Sequence, residues 1–274
     1  MRIRALLLLM TAATLASAQT FVVSDGGVVN AASFAKQPVT GGSLVSIFGS
    51  NLAATLTLAD SIPLSTKLGG VSVQFVNGTT TMSAPMLHVL PPNQLNVQVP
   101  WNLVPPGATQ TVNVVVSFNG TSSVPAPVTV GPASPGIFTA GPPNFYAIAQ
   151  NASDGTLSQP VGSIPGLITH PAKAGVDAVV IYATGLGAVD SAIADGANSL
   201  DKLRNTLVKP IVLLGGVAID PANVLFSGLT PQFVGVNQVN ILIPANAPTG
   251  DQVTLQFQMN GITTPVNVTM AISK

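Results

Sequence analysis

Three stretches of the chain alternate apolar and polar residues with a period of two. They are QLNVQVPW (residues 94–101), TVNVVVSF (residues 111–118) and QVTLQFQM (residues 252–259). Successive side chains of a β-strand point to opposite faces of a sheet, so each stretch predicts a strand with one buried face.

Asn-Gly pairs punctuate these strands, at Asn77-Gly78, Asn119-Gly120 and Asn260-Gly261. Asn and Gly both accept the positive φ of a type I′ turn, so each pair predicts a hairpin. The chain also has 26 Gly and 23 Pro among 274 residues, which favours many short strands over helices. The most polar segment, residues 188–206, is predicted to be a long loop with one short helical turn.

The chain also repeats itself over a long distance. QLNVQVPW is echoed by QVNILIPA (residues 238–245), GSLVSIFGSNL (residues 42–52) by VDAVVIYATGL (residues 176–186), and GGVSV by GGVAI. The blocks keep their order in both halves, and a period of this length exceeds that of a solenoid. The repeat therefore predicts two tandem β-sandwich domains.

A Pro/Gly-rich segment, residues 131–145, is the predicted link between these domains. Its composition favours a short, stiff connection and hence a rigid pair. We assign residues 19–138 to the first domain and residues 139–274 to the second, with an additional hairpin at residues 146–160.

The N-terminal sequence MRIRALLLLMTAATLASAQT has the pattern of a secretory signal peptide. Two arginines precede an apolar run, and Ala16-Ser17-Ala18 supplies the small residues that signal peptidase recognises. Residues 1–18 are therefore predicted to be removed, leaving a secreted or cell-surface protein with no membrane span. The chain has no cysteine, so each domain depends on its own apolar core.

The charge composition excludes one class of partner. Charged residues make up 7% of the chain, no glutamate occurs, and removing Arg2 and Arg4 leaves 9 − 2 = 7 basic residues against nine acidic ones. Such a surface lacks the clustered lysine and arginine that bind nucleic acid.

Several sequence blocks together resemble a known family. VVNAASF (residues 28–34), SPGIF (residues 134–138), IYATGLGAV (residues 181–189) and FVGVNQVNILIPA (residues 233–245), with the repeated blocks above, are similar to the Solibacter C-terminal domain family of exported acidobacterial proteins. The resemblance implies tandem immunoglobulin-like modules of the IPT/TIG kind. It implies an all-β fold and an exported location, and no catalytic residue.

Candidate catalytic residues are few. Gly185-Leu186-Gly187 lacks the third glycine of a dinucleotide-binding loop, so we predict a turn between strands there. His88 and His170 are the only histidines, and neither lies in a GxSxG elbow. An extracellular hydrolase with its site in the cleft between the domains remains the alternative hypothesis.

A calcium site is a further possibility in the long loop. Asp190, Asp195 and Asp201 lie there together, and calcium prefers such oxygen ligands, although their spacing is not that of an EF-hand. A solvated polar loop is the competing interpretation, and we predict no other cofactor.

The aromatic residues near the link are the candidate binding residues. Trp101, the only tryptophan, follows a strand where the second half has Ala245, and Phe145 and Tyr146 lie at the link itself. An indole can anchor an interface or stack on a sugar, or it can simply cover the contact between domains. The main hypothesis is a non-catalytic binding or scaffolding protein whose partner is a cell-surface protein, a polysaccharide or a second copy.

Overall fold

The computed structural model describes residues 21–265 and 267–274, so the predicted signal peptide lies outside the described residues. These residues form 22 β-strands and one 3-10 helix, Pro221–Asn223, with no α-helix among them. The predicted all-β fold class is therefore confirmed.

The first half of the chain forms two sheets, both antiparallel. The first has the order β1-β2-β8-β7-β3. Its strands are β1 (Val22–Asn30), β2 (Leu44–Ser50), β3 (Thr57–Leu58), β7 (Met86–Leu90) and β8 (Gln94–Gln98). The second has the order β10-β9-β5-β4, with β11 paired to β9 and β6 paired to β5. Its strands are β4 (Lys67–Leu68), β5 (Val71–Asn77), β6 (Thr80–Ser83), β9 (Gln110–Phe118), β10 (Thr121–Ser122) and β11 (Ala126–Val130).

The second half forms two more sheets. One has the order β12-β15-β19-β18, with β13 paired to β15. Its strands are β12 (Gly136–Ile137), β13 (Ala149–Asn151), β15 (Ala178–Thr184), β18 (Val224–Leu229) and β19 (Asn237–Leu242). The other has the order β14-β22-β20-β16-β17, with β21 paired to β20. Its strands are β14 (Ala172–Lys173), β16 (Ile211–Leu214), β17 (Val217–Ala218), β20 (Gly250–Met259), β21 (Ile262–Thr263) and β22 (Thr269–Ser273).

Each half buries its own apolar cluster between its two sheets. In the first half, Ile47 and Leu95 from one sheet pack with Phe75 from the other. In the second, Ile181 and Phe257 belong to a separate cluster. Fully burying such side chains contributes about 1.5–3 kcal/mol each, so both halves have the core of a β-sandwich. The division into two independent domains stays a prediction.

Two of the three predicted type I′ turns are confirmed. Asn119 and Asn260 have φ of 48° and 47°, and each is followed by a glycine of positive φ. At the third pair, Asn77 still belongs to β5 and pairs with Thr80. The turn there begins one residue later, with Gly78 at φ 59°, so the predicted register is wrong by one residue. Glycine in that first turn position is typical of type II′.

The matching Gly-Gly blocks form similar turns in different settings. Gly69-Gly70 and Gly215-Gly216 have nearly the same φ values, 57° and 79° against 59° and 80°. In the first half the strand after the turn, β5, pairs with the long strand β9. In the second half the strand before the turn, β16, pairs with β20. Pro221 follows closely after β17 and keeps that strand at two residues.

The short helical turn predicted within residues 188–206 is wrong, because that segment contains bends, turns and isolated bridges only. The 3-10 helix lies instead at Pro221–Asn223, where the Asp220 side chain accepts a hydrogen bond from the Ala222 N–H. Asp before Pro is a strong helix-start signal, and nothing in the long loop equals it. In the part of the chain that the structure covers, no helix is long and apolar enough to cross a membrane.

Candidate functional site

The two halves of the chain meet along a contact surface that we call the seam, formed by residues 21–130 on one side and residues 131–274 on the other. Residues 131–138, which the sequence analysis assigned to the first domain, are counted with the second half because β12 pairs with β15 and Ile137 belongs to the second apolar cluster. The buried side chain of Asn30 donates to the Ser134 carbonyl at 2.9 Å. The Leu44 N–H donates to the Thr184 hydroxyl at 2.9 Å, and that hydroxyl donates to the Gly235 carbonyl at 2.7 Å. These bonds satisfy groups that burial would otherwise leave unpaired, at about 1–3 kcal/mol each.

The long loop, residues 188–206, extends from the second half across the seam. The Gly196 N–H donates to the Gln98 side-chain oxygen at 2.7 Å, and the Gly196 carbonyl accepts from Leu64 N–H at 2.8 Å. The Trp101 N–H donates to an Asp195 carboxylate oxygen at 2.8 Å. The loop therefore holds the C-terminal end of β8 through backbone and side-chain bonds.

Arg204 organises this loop from within. Its side chain is only 5% exposed, and all of its guanidinium nitrogens donate hydrogen bonds. Two go to the Asp201 carboxylate, at 2.6 and 2.9 Å, and the rest go to the Ala192 carbonyl and the Ser199 hydroxyl. The bonds from Arg204 lower the pKa of Asp201 and raise that of Arg204. A fully bonded buried guanidinium keeps the loop in one conformation.

The structure does not gather the three predicted calcium ligands around one point. Asp190 accepts a hydrogen bond from the Asn205 amide at 2.7 Å, which lowers the pKa of that carboxyl. Asp195 and Asp201 are bonded to Trp101 and Arg204 instead. Within residues 21–265 and 267–274, no group of three or more His, Asp or Glu residues could hold a metal ion. The calcium interpretation thus gains no support from the geometry.

Trp101 forms one wall of a cleft at the seam. The cleft has a volume of about 210 Å³. The six-membered ring of Trp101 lies directly against Gly42, where an added Cβ would come within 2.2–2.4 Å of three ring carbons. Gly42 also has φ 78°, so glycine alone suits both its backbone and the ring beside it. The indole Nε1 is buried without a hydrogen-bond partner in the described structure, so packing alone holds the ring.

Both halves of the chain line this Trp101 cleft, and none of the lining residues is charged. The first half contributes Asn102 and a run of Pro and Gly, and the second half contributes Val189, Ser191 and Ile193. A neutral cleft with an aromatic wall and a few hydroxyl and amide groups can hold a small uncharged ligand.

The other two candidate binding residues lie elsewhere. Tyr146 is 8% exposed and forms a bridge with Thr269, so it is a core residue of the second half. Phe145 lines a different cleft, of about 440 Å³, together with Phe34 and Phe138. The structure thus separates the three aromatic residues that the sequence analysis placed together near the link.

The two histidines lie in different environments. His88 faces Asn96, with its Nδ1 3.4 Å from the Asn96 amide nitrogen, and burial lowers its pKa. His170 pairs through Nε2 with Asp154 at 2.8 Å. The remaining partners of its imidazole in the described residues are Asn151 and Pro171, and neither is a serine.

Hydrogen bonds set the pKa values of the exposed His170–Asp154 pair. The bonds to Pro171 and Asp154 raise the pKa of His170. The bonds from His170 and Thr156 lower the pKa of Asp154 to about 2. Both shifts favour the charged form of the group concerned, whereas a serine nucleophile would need its hydroxyl within reach of the imidazole.

Most outer strands of the four sheets are short. The strands β3, β4, β10, β14, β17 and β21 have two residues each. The longer strands β1 and β18 carry register shifts of the β-bulge type. Short and bulged edges offer few unpaired backbone groups, so they disfavour strand addition by a partner or a second copy.

Comparisons with known proteins do not assign the chain to a family. No protein-family model matches the chain, and no curated protein matches it. Among solved structures, the chain is similar to the Bacteroides ovatus mixed-linkage glucan utilization locus (MLGUL) protein SGBP-B in complex with a mixed-linkage heptasaccharide. The identity is 15% and the TM-score 0.32, and the alignment covers 85% of this chain and 43% of that one.

Sequence analysis found Trp101 but missed Gln98, Phe34 and Arg204. One signal for Gln98 was present, because the matching position of the repeat is Leu242. A polar residue replacing an apolar one inside a duplicated strand indicates a partner that only one copy has. Arg204 and Phe34 have no comparable signal, since their contacts depend on how the loops fold.

Proposed function

We propose that this chain is an exported, non-catalytic binding protein, and that it holds a neutral polysaccharide at the Trp101 cleft. Membership of the Solibacter C-terminal domain family, immunoglobulin-like modules and an extracellular or cell-surface location are parts of the same proposal. The observation that carries it is the position of Trp101, fixed against Gly42 at an uncharged cleft lined by both halves.

The chemistry of the cleft fits a sugar better than other ligands. A sugar ring has an apolar face of C–H groups that packs on an indole, and hydroxyls that bond to amides and other hydroxyls. Asn102 and Ser191 supply such groups at the cleft. An ionic ligand finds no opposite charge there, so a neutral ligand is favoured.

The seam gives this cleft a fixed shape. Asp195 and Gly196 of the long loop bind Trp101 and Gln98 at 2.8 and 2.7 Å, and Arg204 holds the loop itself. A preformed cleft loses little conformational freedom on binding, which favours affinity.

The single tryptophan makes the test direct. An array of neutral polysaccharides of the cellulose, xylan, mannan and starch types is screened with the purified mature chain. Oligosaccharides of any polysaccharide that binds are then titrated while the Trp101 fluorescence is recorded. We expect a saturable change in emission, because the only indole in the chain lies at the site.

Two variants and a control locate the site. Trp101→Ala, which has no tryptophan and is titrated by calorimetry, should abolish binding. Asn102→Ala, which leaves the ring in place, should weaken binding by about tenfold, the loss of one good hydrogen bond. Phe233→Ala, at an aromatic residue that is 56% exposed and outside the cleft, should bind like the parent chain. Binding that survives Trp101→Ala, or an array with no bound glycan, would rule out the proposal.

A further inference from the structure

The backbone of two phenylalanines has an unusual conformation. Five non-glycine residues of the described chain have positive φ, and three of them are asparagines. The other two are Phe34, at φ 54°, and Phe145, at φ 46°. Asparagine enters this left-handed region easily, whereas a bulky side chain there costs about 1–2 kcal/mol.

Both phenylalanines line the same cleft, one from each half of the chain. This Phe34–Phe145 cleft has a volume of about 440 Å³, and Phe138, Pro142 and Ile137 also line it. Its polar groups come from Ser33, Thr139 and Asn267, and no lining residue is charged. The volume is within the range of small-molecule sites.

The wall that carries Phe34 is built around one buried residue. Asn30 is 2% exposed, and its side-chain oxygen accepts from the N–H groups of Ala32 and Ser33 at 2.9 and 3.1 Å. Its carbonyl accepts from the Phe34 N–H at 2.8 Å, which closes the turn. Since the same side chain also donates to Ser134, Asn30 fixes Phe34 relative to the second half.

The opposite wall is anchored in a similar way. The Phe145 N–H donates to the Gly141 carbonyl at 3.0 Å, closing a turn of the same size as that at Phe34. The Phe145 and Asn144 carbonyls accept from the N–H and hydroxyl of Thr269, at 3.2 and 3.1 Å. The turn is therefore attached to strand β22, which begins at Thr269.

Folding alone does not account for a phenylalanine at position 34. Phe34 is 55% exposed. Its ring packs at a tilt against that of Phe48, with 6.1 Å between the ring centroids. Glycine or asparagine would suit the turn without strain. Strained residues that burial does not compensate occur mainly at binding and catalytic sites.

We propose that the Phe34–Phe145 cleft is a second sugar-binding subsite for the neutral polysaccharide held at the Trp101 cleft. Phe34 and Phe145 present aromatic surface to a sugar ring, and Ser33, Thr139 and Asn267 bond to its hydroxyls. This inference rests on the proposed function, because it takes its ligand class from there. The residues that line this cleft differ from those that line the Trp101 cleft.

The two clefts are close enough for one glycan chain to reach both. Pro132 lines the Trp101 cleft and Ile137 lines the Phe34–Phe145 cleft. Five residues of fully extended chain span at most about 18 Å, so these two walls are no farther apart. A long chain that occupies both clefts gains a high effective concentration at the second, whereas a short one occupies either alone.

The test compares short and long forms of whichever neutral polysaccharide the array identifies. Its disaccharide and its soluble polymer are titrated against the parent chain, Phe34→Gly, Phe145→Gly and the control Phe233→Ala, with Trp101 fluorescence and calorimetry as readouts. For the parent chain we expect the polymer to bind about 100-fold more tightly than the disaccharide.

The glycine variants separate binding from folding. Each should reduce polymer affinity by about tenfold or more and leave the fluorescence response to the disaccharide unchanged. Their melting temperatures should stay equal or rise, because glycine relieves the left-handed strain. A lower melting temperature with parental polymer affinity would assign the two rings to folding and overturn the inference.

The remaining outcomes distinguish the two proposals. If Trp101 is required for binding and both glycine variants bind polymer like the parent chain, the second subsite is disproved and the proposed function stands. If the glycine variants lose binding and Trp101→Ala does not, the primary site is the Phe34–Phe145 cleft and the Trp101 proposal is wrong. If no glycan binds, both proposals are wrong.

Discussion

The chain contains two copies of one strand-turn unit, and the comparison between them shows how the seam arises. In the first copy the Gly42 N–H donates to the Val99 carbonyl, and in the second the Gly175 N–H donates to the Ile243 carbonyl, both at 2.8 Å. The two glycines have φ of 78° and 74°. The two turns therefore make the same bond to the strand, although the second turn is one residue longer and the repeat matches Gly42 to Val176.

The side chains that follow are not the same. Trp101 in the first copy corresponds to Ala245 in the second, and Gln98 corresponds to Leu242. Both first-copy residues bind the long loop, through Asp195 and Gly196. Gln98 binds the loop through its side chain and Trp101 through its backbone N–H, so the two copies differ in one loop-binding side chain and in the ring that lines the cleft.

The largest effect that tests this comparison is expected at the paired glycines. Gly42→Ala should lower the free energy of unfolding by about 3 kcal/mol, because the new methyl combines left-handed strain with overlap of the Trp101 ring. Gly175→Ala should cost about 1–2 kcal/mol, since its Cβ meets only Ala245 Cβ, at 3.0 Å. Urea unfolding measures the free energy of unfolding of both variants. Equal losses would mean that the Trp101 ring does not contact Gly42 closely.

A smaller effect is expected from exchanging the strand residues between copies. Gln98→Leu should cost about 2 kcal/mol, because it leaves the buried Gly196 N–H without its acceptor. The matched change Leu242→Gln should cost about 0.5 kcal/mol, as that side chain is only partly buried. The two losses of stability are compared through the urea midpoints of unfolding at constant m-value. Equal losses in both variants would contradict the proposed difference between the copies.

The smallest expected effect on stability is its pH dependence through the His170–Asp154 pair, which lies outside the seam. The raised pKa of His170 means that its contribution to stability is complete below pH 6.5 and is lost as pH rises through the raised value. The lowered pKa of Asp154 means that its contribution is present above pH 3.8 and is lost as pH falls towards about 2.

The measurement is an NMR titration of both histidines. Asp154→Asn should lower the pKa of His170 and leave that of His88 unchanged, because burial and not an ion pair sets the latter. Trp101 fluorescence should not change across the His170 titration, since the pair does not touch the cleft. A fluorescence transition at the pKa of His170 would link the pair to the seam.

The strands and most turns followed from the sequence because their causes are local. Alternation predicted β8, β9 and β20, and Asn119-Gly120 and Asn260-Gly261 form the predicted hairpin turns. The repeat matched the two Gly-Gly blocks but did not indicate which neighbouring strand becomes central. That choice follows the number of alternating apolar residues after the turn, three in β5 and two after Gly216.

The seam could not be predicted because its bonds connect distant residues. Trp101 and Asp195 are 94 positions apart, and Asn30 and Ser134 are 104 apart. No periodicity or turn signal carries such information. The sequence indicated Asp195 as a candidate calcium ligand, yet in the structure its carboxylate accepts the backbone N–H of Trp101.

The bond between Gln98 and Gly196 also sets an order of events during synthesis. The two residues are separated by 98 positions. At roughly 5–20 residues per second, a ribosome needs about 5–20 seconds to proceed from one to the other. For that interval the end of β8 has a side-chain amide and an indole that the long loop does not yet cover.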